Sequence, residues 1–327
     1  MAALNAKPET EPTAVRGPGR VAGLAIETKR AFWSMVGGSV DFSPQPLGRH
    51  VDPQRIAGYY SDLSGKTRLT LEQMQGTEYD WVIPLAQVAL GYWERLLDGE
   101  DTEAEFLAAT DWLIQRSTEA DTGLLWPCWP TVPKYGLDSG WISAMGQGQA
   151  ISVLLRAHAR TGEERYLRLA EQAFGPLGLP VSEGGAQRQL DGVTVLEEYP
   201  TTKPCAVLNG WIFALWGVHE LSLVSEDPEP GQLFERSAAG VVELLPRYDV
   251  GWWSLYSLYD HGRRDLAKPF YQRLHPVMLE GLALITEAEE LRRCARRWRQ
   301  QDTRLGVARA MADKLVFRAA RALPSRR

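Results

Sequence analysis

"CAVLNGWIFALWGVHELSL", residues 205–223, decides how this chain folds. Apolar side chains stand on every side of the helix it would form, so the segment reads as a helix buried on most of its circumference rather than along one stripe. Three further segments have this character: "YDWVIPLAQVALGYWERLL" (79–97), "WISAMGQGQAISVLLRAHAR" (141–160) and "YQRLHPVMLEGLALI" (271–285). Each is followed by a more amphipathic one: "DTEAEFLAATDWLIQR", "TGEERYLRLAEQAF", "SEDPEPGQLFERSAAGVVELL" and "TEAEELRRCARRW". Thr102 with Glu105, Thr161 with Glu164, and Thr286 with Glu289 read as capping boxes, spaced by about one and two copies of a unit of roughly 60 residues. The pattern predicts an all-α fold, an α/α toroid (barrel) of about four hairpins with inner helices buried and outer helices facing water on one side. Residues 1–20 are expected to be a disordered lead, 21–78 an extended arm with turns, and 79–322 the helical domain.

Composition narrows the function classes. The chain has 327 residues, 44% hydrophobic, enough for a large core. A net charge of -5 gives no general attraction to nucleic acid, and the arginine runs near the C-terminus read as solvated helix faces. No charge-free apolar stretch of about 20 residues and no signal-like run appears, so a cytoplasmic protein without a membrane span is expected. Cys128, Cys205 and Cys294 lie far apart, which argues against a disulfide framework or a zinc cluster and for buried thiols. Twelve tryptophans and eleven tyrosines make a carbohydrate cleft worth testing, because flat rings stack on sugars as well as packing in cores.

If the inner helices start at one end of the ring, the loops leading into them meet around one opening. Those loops hold the unusual residues: "GLLWPCWPTVPKYGLDSGW" (123–141), "LEEYPTTKP" (196–204) and "YDVGWWSLYSLYDHGRRDLAKPFYQRLH" (248–275). Trp126, Trp129, Trp252 and Trp253 are either stacking walls or plugs of the ring. Glu197 and Glu198 are either chemistry or an acid pair favouring the dipole of the next helix. A lone His275 within an apolar helix is ordinarily a core residue. The chain lacks a GxSxG elbow, a P-loop and a GxGxxG; Gly146 and Gly148 in GQGQ suit close helix packing or close approach of a ligand.

In this order and spacing, "SGWISAMGQGQAISVLLRAHARTGEERYL", "LEEYPTTKPCAVLNGWIFAL" and "YDVGWWSLYSLYD…LAKPFYQRLH" resemble the C-terminal helical domain of D-glucuronyl C5-epimerases, over about residues 50 to 305. The resemblance implies an α/α barrel that acts without a cofactor or metal on glucuronate in a heparosan-like or other uronate-containing polysaccharide, with a homodimer left open. It implies Glu198, Tyr199, Tyr256 and Tyr271 as the catalytic set, Glu198 and Tyr271 acting as the opposed acid/base pair. The candidate substrate-binding set is Trp126, Trp129, Gln147, Gln149, Asn209, Tyr259, Arg273 and His275, the last where the family also has a histidine. Where relatives place an arginine to neutralise the sugar carboxylate, this chain has Tyr259, leaving Arg247, Arg263, Arg264, Lys268 or Arg273 as substitutes. A lyase, which begins with the same proton abstraction, and a non-catalytic glycan-binding toroid are the competing readings.

Overall fold

A computed structural model describes residues 45–322, all within one compact unit, Ser43–Arg327. The second unit, Met1–Phe42, lies outside the described residues, as do the expected lead and the arm up to residue 44. The described chain is mostly helical: α1 (Leu71–Met74), α2 (Val82–Leu97), α3 (Glu103–Gln115), α4 (Ala144–Thr161), α5 (Glu164–Gly178), α6 (Leu208–Ser222), α7 (Glu229–Tyr248), α8 (Pro269–Thr286), α9 (Glu289–Gln301) and α10 (Arg304–Ala322). Three antiparallel two-stranded ribbons correct the all-α expectation to mostly helical with small sheets: β1 (Thr118–Ala120) with β2 (Gly123–Leu125), β3 (Pro127–Cys128) with β4 (Trp141–Ile142), and β5 (Gln187–Leu190) with β6 (Val193–Leu196). One of these, β3–β4, spans the aromatic-rich loop that begins at residue 123, where turn residues let the backbone pair with itself. No described helix is long and apolar enough to cross a membrane.

The four expected hairpins are present, α2–α3, α4–α5, α6–α7 and α8–α9, each outer helix packed on the inner helix before it. Inner helices also pack on one another in sequence, α2 on α4, α4 on α6 and α6 on α8. Burial follows the sequence pattern. In α6 every residue from Leu208 to Leu221 is buried, whereas in α9 only Leu291, Ala295 and Trp298 are, one stripe at helical spacing. Between α2 and α8 the arm intervenes: the Leu63 carbonyl lies against Gly91 of α2, and Tyr60 lies against Gly281 of α8 while stacking on Trp216 of α6. Tyr59, Tyr60 and Leu63 are core residues.

The arm is tied down by a buried charge network at the C-terminal ends of the inner helices. Arg156 of α4 donates to both carboxylate oxygens of Glu220 on α6, at 2.9 and 2.8 Å, and to the carbonyls of Ser152 and Gly58. Glu94 of α2 accepts the Tyr59 N–H at 2.5 Å, and Pro53 offers its carbonyl to His219 at 2.7 Å.

The capping boxes expected at the hairpin turns do not form. Thr161 and Thr286 belong to the ends of α4 and α8, where their hydroxyls donate to the carbonyls of Ala157 and Leu282 four residues back. Thr102 does precede α3, but its hydroxyl donates across the hairpin to the Tyr92 carbonyl at 2.8 Å. The Thr161 and Thr286 hydroxyls also accept the N–H groups of Glu163 and Ala288 two residues ahead, at 3.1 and 3.4 Å, one residue short of a capping box. A true capping box stands instead at Thr70 and Gln73, on the short α1.

Gly148 shows why GQGQ carries glycines. A Cβ there would sit 2.6 Å from the Ala214 Cα, and one on Gly217 would sit 2.0 Å from the Gly148 carbonyl oxygen, so α4 and α6 meet backbone to backbone. Gly148→Val is therefore expected to lower stability by about 3 kcal/mol, read as a lower urea midpoint; an unchanged midpoint would refute the close contact.

Candidate active site

The site begins with β6. Its residues Val193–Leu196 are all buried, and the Asp191–Gly192 turn that precedes it has both residues at positive φ, 52° and 87°, the twist a tight hairpin needs. The strand runs Glu197 and Glu198 straight into the interior, where both are buried. Their roles then part. Glu197 accepts the N–H groups of Cys205 and Ala206, at 2.9 and 2.8 Å, beside Arg188 at 3.4 Å, so its carboxylate holds the loop that enters α6. Ala206 sits there at φ 44°, a conformation that such anchoring sustains.

Glu198 instead occupies the first turn of α6. A Cβ on Gly210 would lie 2.2 Å from its Oε2, so only glycine leaves room for the carboxyl. Asn209 donates to the same oxygen at 3.4 Å. Burial pushes the Glu198 carboxyl up to about 7, against the downward pull of the Tyr199 hydroxyl and the Lys134 ammonium.

The four residues expected to be catalytic come together. Tyr199 follows Glu198 directly and acts on its carboxyl, and both Tyr199 and Tyr271 pack against Tyr256. The rings of Tyr256 and Tyr271 lie 4.7 Å apart, and Tyr199 packs between Tyr135 and Trp141, at 4.8 and 5.1 Å. Burial raises all three phenols well above their ordinary range, so they stay protonated at neutral pH. Backbone bonds fix the loops to one another: Leu208 N–H reaches the Tyr256 carbonyl at 3.3 Å, and Leu258 N–H reaches that of Cys205 at 3.0 Å.

The expected substrate-binding residues divide. Asn209 stands on Glu198, and Tyr259 packs on Tyr135 and His261 at the margin of the cluster. Trp129 is 61% exposed in the β3–β4 loop. Trp126, Gln147, Gln149 and Arg273 are not brought to the cluster, and His275 lies behind it. Trp126 is a core residue whose indole N–H donates to the Leu113 carbonyl, and Gln147 spends its amide on the Trp126 N–H and the Leu124 and Ala173 carbonyls. Gln149 is buried beside Tyr59 of the arm. Arg273 pairs with Asp302 at 2.8 Å on an exposed face. His275 lies buried under Tyr271 against Ser254 and Trp298, and burial pulls it down to about 3, a neutral core imidazole. Trp253 is buried, and Trp252 carries the Arg309 guanidinium at 3.9 Å.

Of the cations offered in place of the missing arginine, Arg247 pairs with Asp191, and Arg263 and Arg264 are exposed. Among the described residues, one cation at the cluster is one the sequence reading passed over. Lys134 Nζ lies 4.6 Å from the Tyr256 ring and 4.7 Å from that of Tyr135, and is ion-paired with buried Asp265. Its only signal was its place in the loop "PTVPKYG", which does not say where a flexible side chain points. Among the described residues no three His, Cys, Asp or Glu side chains group as metal ligands. All three cysteines are free, and burial raises each thiol.

Comparison with known proteins agrees with this geometry. A curated D-glucuronyl C5-epimerase of Caenorhabditis elegans is 33% identical over 210 residues, 59% of this chain and 34% of that protein. An uncharacterized protein of Methanocaldococcus jannaschii is 27% identical over 223 residues, 63% of this chain and 71% of that one. The chain thus spans about a third of the worm enzyme's length. A family model described as D-glucuronyl C5-epimerase C-terminus matches residues 124–300, more than half of the chain and all of the glutamate–tyrosine cluster. The chain belongs to the D-glucuronyl C5-epimerase C-terminus family.

Proposed function

We propose that the protein is an epimerase that inverts C5 of D-glucuronate to L-iduronate within a heparosan-like or other uronate-containing polysaccharide. The observation that carries the reading is the cluster of Glu198, Tyr199, Tyr256 and Tyr271, a buried carboxyl of raised affinity for protons beside three packed phenols. Inversion at C5 breaks a C–H bond beside a carboxylate, places the electron pair in an enediolate, and returns a proton to the opposite face. In this scheme the ionised Glu198 takes the C5 proton and the Tyr271 hydroxyl supplies the new one. That leaves Glu198 protonated and Tyr271 as phenolate; transfer through Tyr199 and Tyr256 restores both. The four hairpins closed by the arm into a toroid, with the leading loops around one opening, belong to the same reading.

Incubation of the purified protein with a glucuronate polymer in D2O, followed by NMR, is the test. Deuterium at C5 together with iduronate is expected. Absorbance from an unsaturated uronate would mark a lyase instead, and binding without exchange would mark a glycan-binding protein. The pH dependence carries the sign of Glu198: a base raised to about 7 is protonated below that value, so kcat/KM should climb through pH 7 to a plateau above it. A profile flat from pH 5.5 to 8.5 would remove Glu198 from that role.

A further inference from the structure

Two acids stand side by side where β6 enters the interior, and their carboxyls meet unlike surroundings. The oxygens of Glu197 each accept one backbone N–H, from Cys205 at 2.9 Å and from Ala206 at 2.8 Å. The Arg188 guanidinium stands 3.4 Å from Oε1; it donates to the Thr201 carbonyl, and its Nε makes no hydrogen bond. A guanidinium stays charged, and fixed N–H groups solvate an anion, so this setting favours an ionised Glu197. Glu198 has weaker support for a charge: the Asn209 amide at 3.4 Å, the neutral Tyr199 hydroxyl, and the Lys134 ammonium, which is ion-paired with Asp265. The other titratable groups around the pair are the phenols of Tyr248, Tyr256 and Tyr271 and the thiols of Cys128 and Cys205, which burial keeps neutral.

Burial raises both acids to about 7, and a charge on Glu197 raises Glu198 further. Two buried acids that interact take up their protons in sequence, and the better solvated anion is protonated last. We propose that Glu197 is a positioning residue for proton transfer: a fixed anion, it directs the first proton bound by the pair to Glu198, the carboxyl that stands among the phenols. Its charge thereby sets the pH at which Glu198 becomes a base, although its own oxygens are occupied by the backbone. The role in proton transfer rests on the epimerase reading; the order in which the two acids titrate does not.

The test is an NMR titration of the full chain, labelled with 13C at the glutamate δ-carboxyls, from pH 5.5 to 9 with both resonances assigned through bonds. Carboxyls of ordinary affinity are already ionised over this range, so the buried pair stands out. In the wild type the Glu198 midpoint should lie above that of Glu197. Glu197→Gln should lower the Glu198 midpoint by about 0.5–1 pH unit and carry the rising limb of C5 exchange down with it. Glu197→Asp, which keeps the charge, should return the midpoint to within about 0.3 pH unit of the wild type. A displaced loop alone would lower exchange at every pH while midpoint and limb stayed in place, and that result would overturn the proposal. So would a Glu197 midpoint at or above that of Glu198, an order read on the wild type even where a variant does not fold. Either failure, with exchange by the wild type, leaves the epimerase reading intact. The expected order of midpoints without any exchange would overturn that reading alone.

Discussion

Glu198→Gln should lower deuterium exchange at C5 by a factor on the order of 100 or more, and Tyr271→Phe should do so to a similar extent, with the fold retained. Glutamine keeps the shape that fits over Gly210 and can still meet Asn209, but it cannot accept a proton at neutral pH. The same variant makes a second, opposite prediction. Because the folded-state carboxyl titrates near 7 and the unfolded one near 4.5, the folded chain holds a proton that the unfolded chain has released between those values. Its contribution to stability is full below about pH 4.5, falls as pH rises to about 7, and stays low above. At pH 8 Glu198→Gln should therefore unfold at the same temperature as the wild type or a higher one. Lost exchange with unchanged or raised thermal stability marks a functional carboxyl. Near-normal exchange would refute the assignment, and a large drop in melting temperature would assign Glu198 to the fold instead.

Arg156→Leu is expected to cost about 3–5 kcal/mol of stability. Both members of the Arg156–Glu220 pair are fully buried, and removing the guanidinium would leave the Glu220 carboxylate charged or newly protonated in the core while freeing the Gly58 carbonyl of the arm. The double variant Arg156→Leu/Glu220→Leu should recover much of that loss, since a buried pair is worth less than the penalty of breaking it. Urea unfolding of the three variants measures this directly. A loss below about 1 kcal/mol for Arg156→Leu would mean that the arm is not anchored here. Because the pair lies at the far ends of α4 and α6 from Glu198, folded Arg156→Leu protein should keep its pH profile.

The four hairpins were legible because burial acts on a helix every 3.6 residues and leaves its period in the sequence, as α6 and α9 illustrate from opposite extremes. Their starting points were legible as well. The chemistry assigned to those starts was not: the Thr161 and Thr286 hydroxyls donate to a carbonyl four residues back and accept the N–H two residues ahead, not the one three ahead that a capping box needs. Within the site, Glu198, Tyr199, Tyr256 and Tyr271 could be named because the resemblance runs through "EEYPTT", "SLYSL" and "PFYQRLH". Trp126 and Gln147, in equally suggestive segments, turned inward to bond with each other and with the backbone. Residue type is the same in either case, and only the direction of the side chain separates them.

The sequence alone therefore determined the helical repeat, the family and the identity of a carboxyl and three phenols, since each depends on local period or on a contiguous motif. Tertiary structure decided what stands around them. It separated Glu197, tied to two backbone N–H groups, from Glu198, lodged over a glycine. It also put the arm into the core and set Lys134 and Lys314 on one aspartate, although Lys134 and Asp265 are 131 residues apart. The physical reason is that electrostatic partnership falls off with distance in space and is indifferent to distance along the chain.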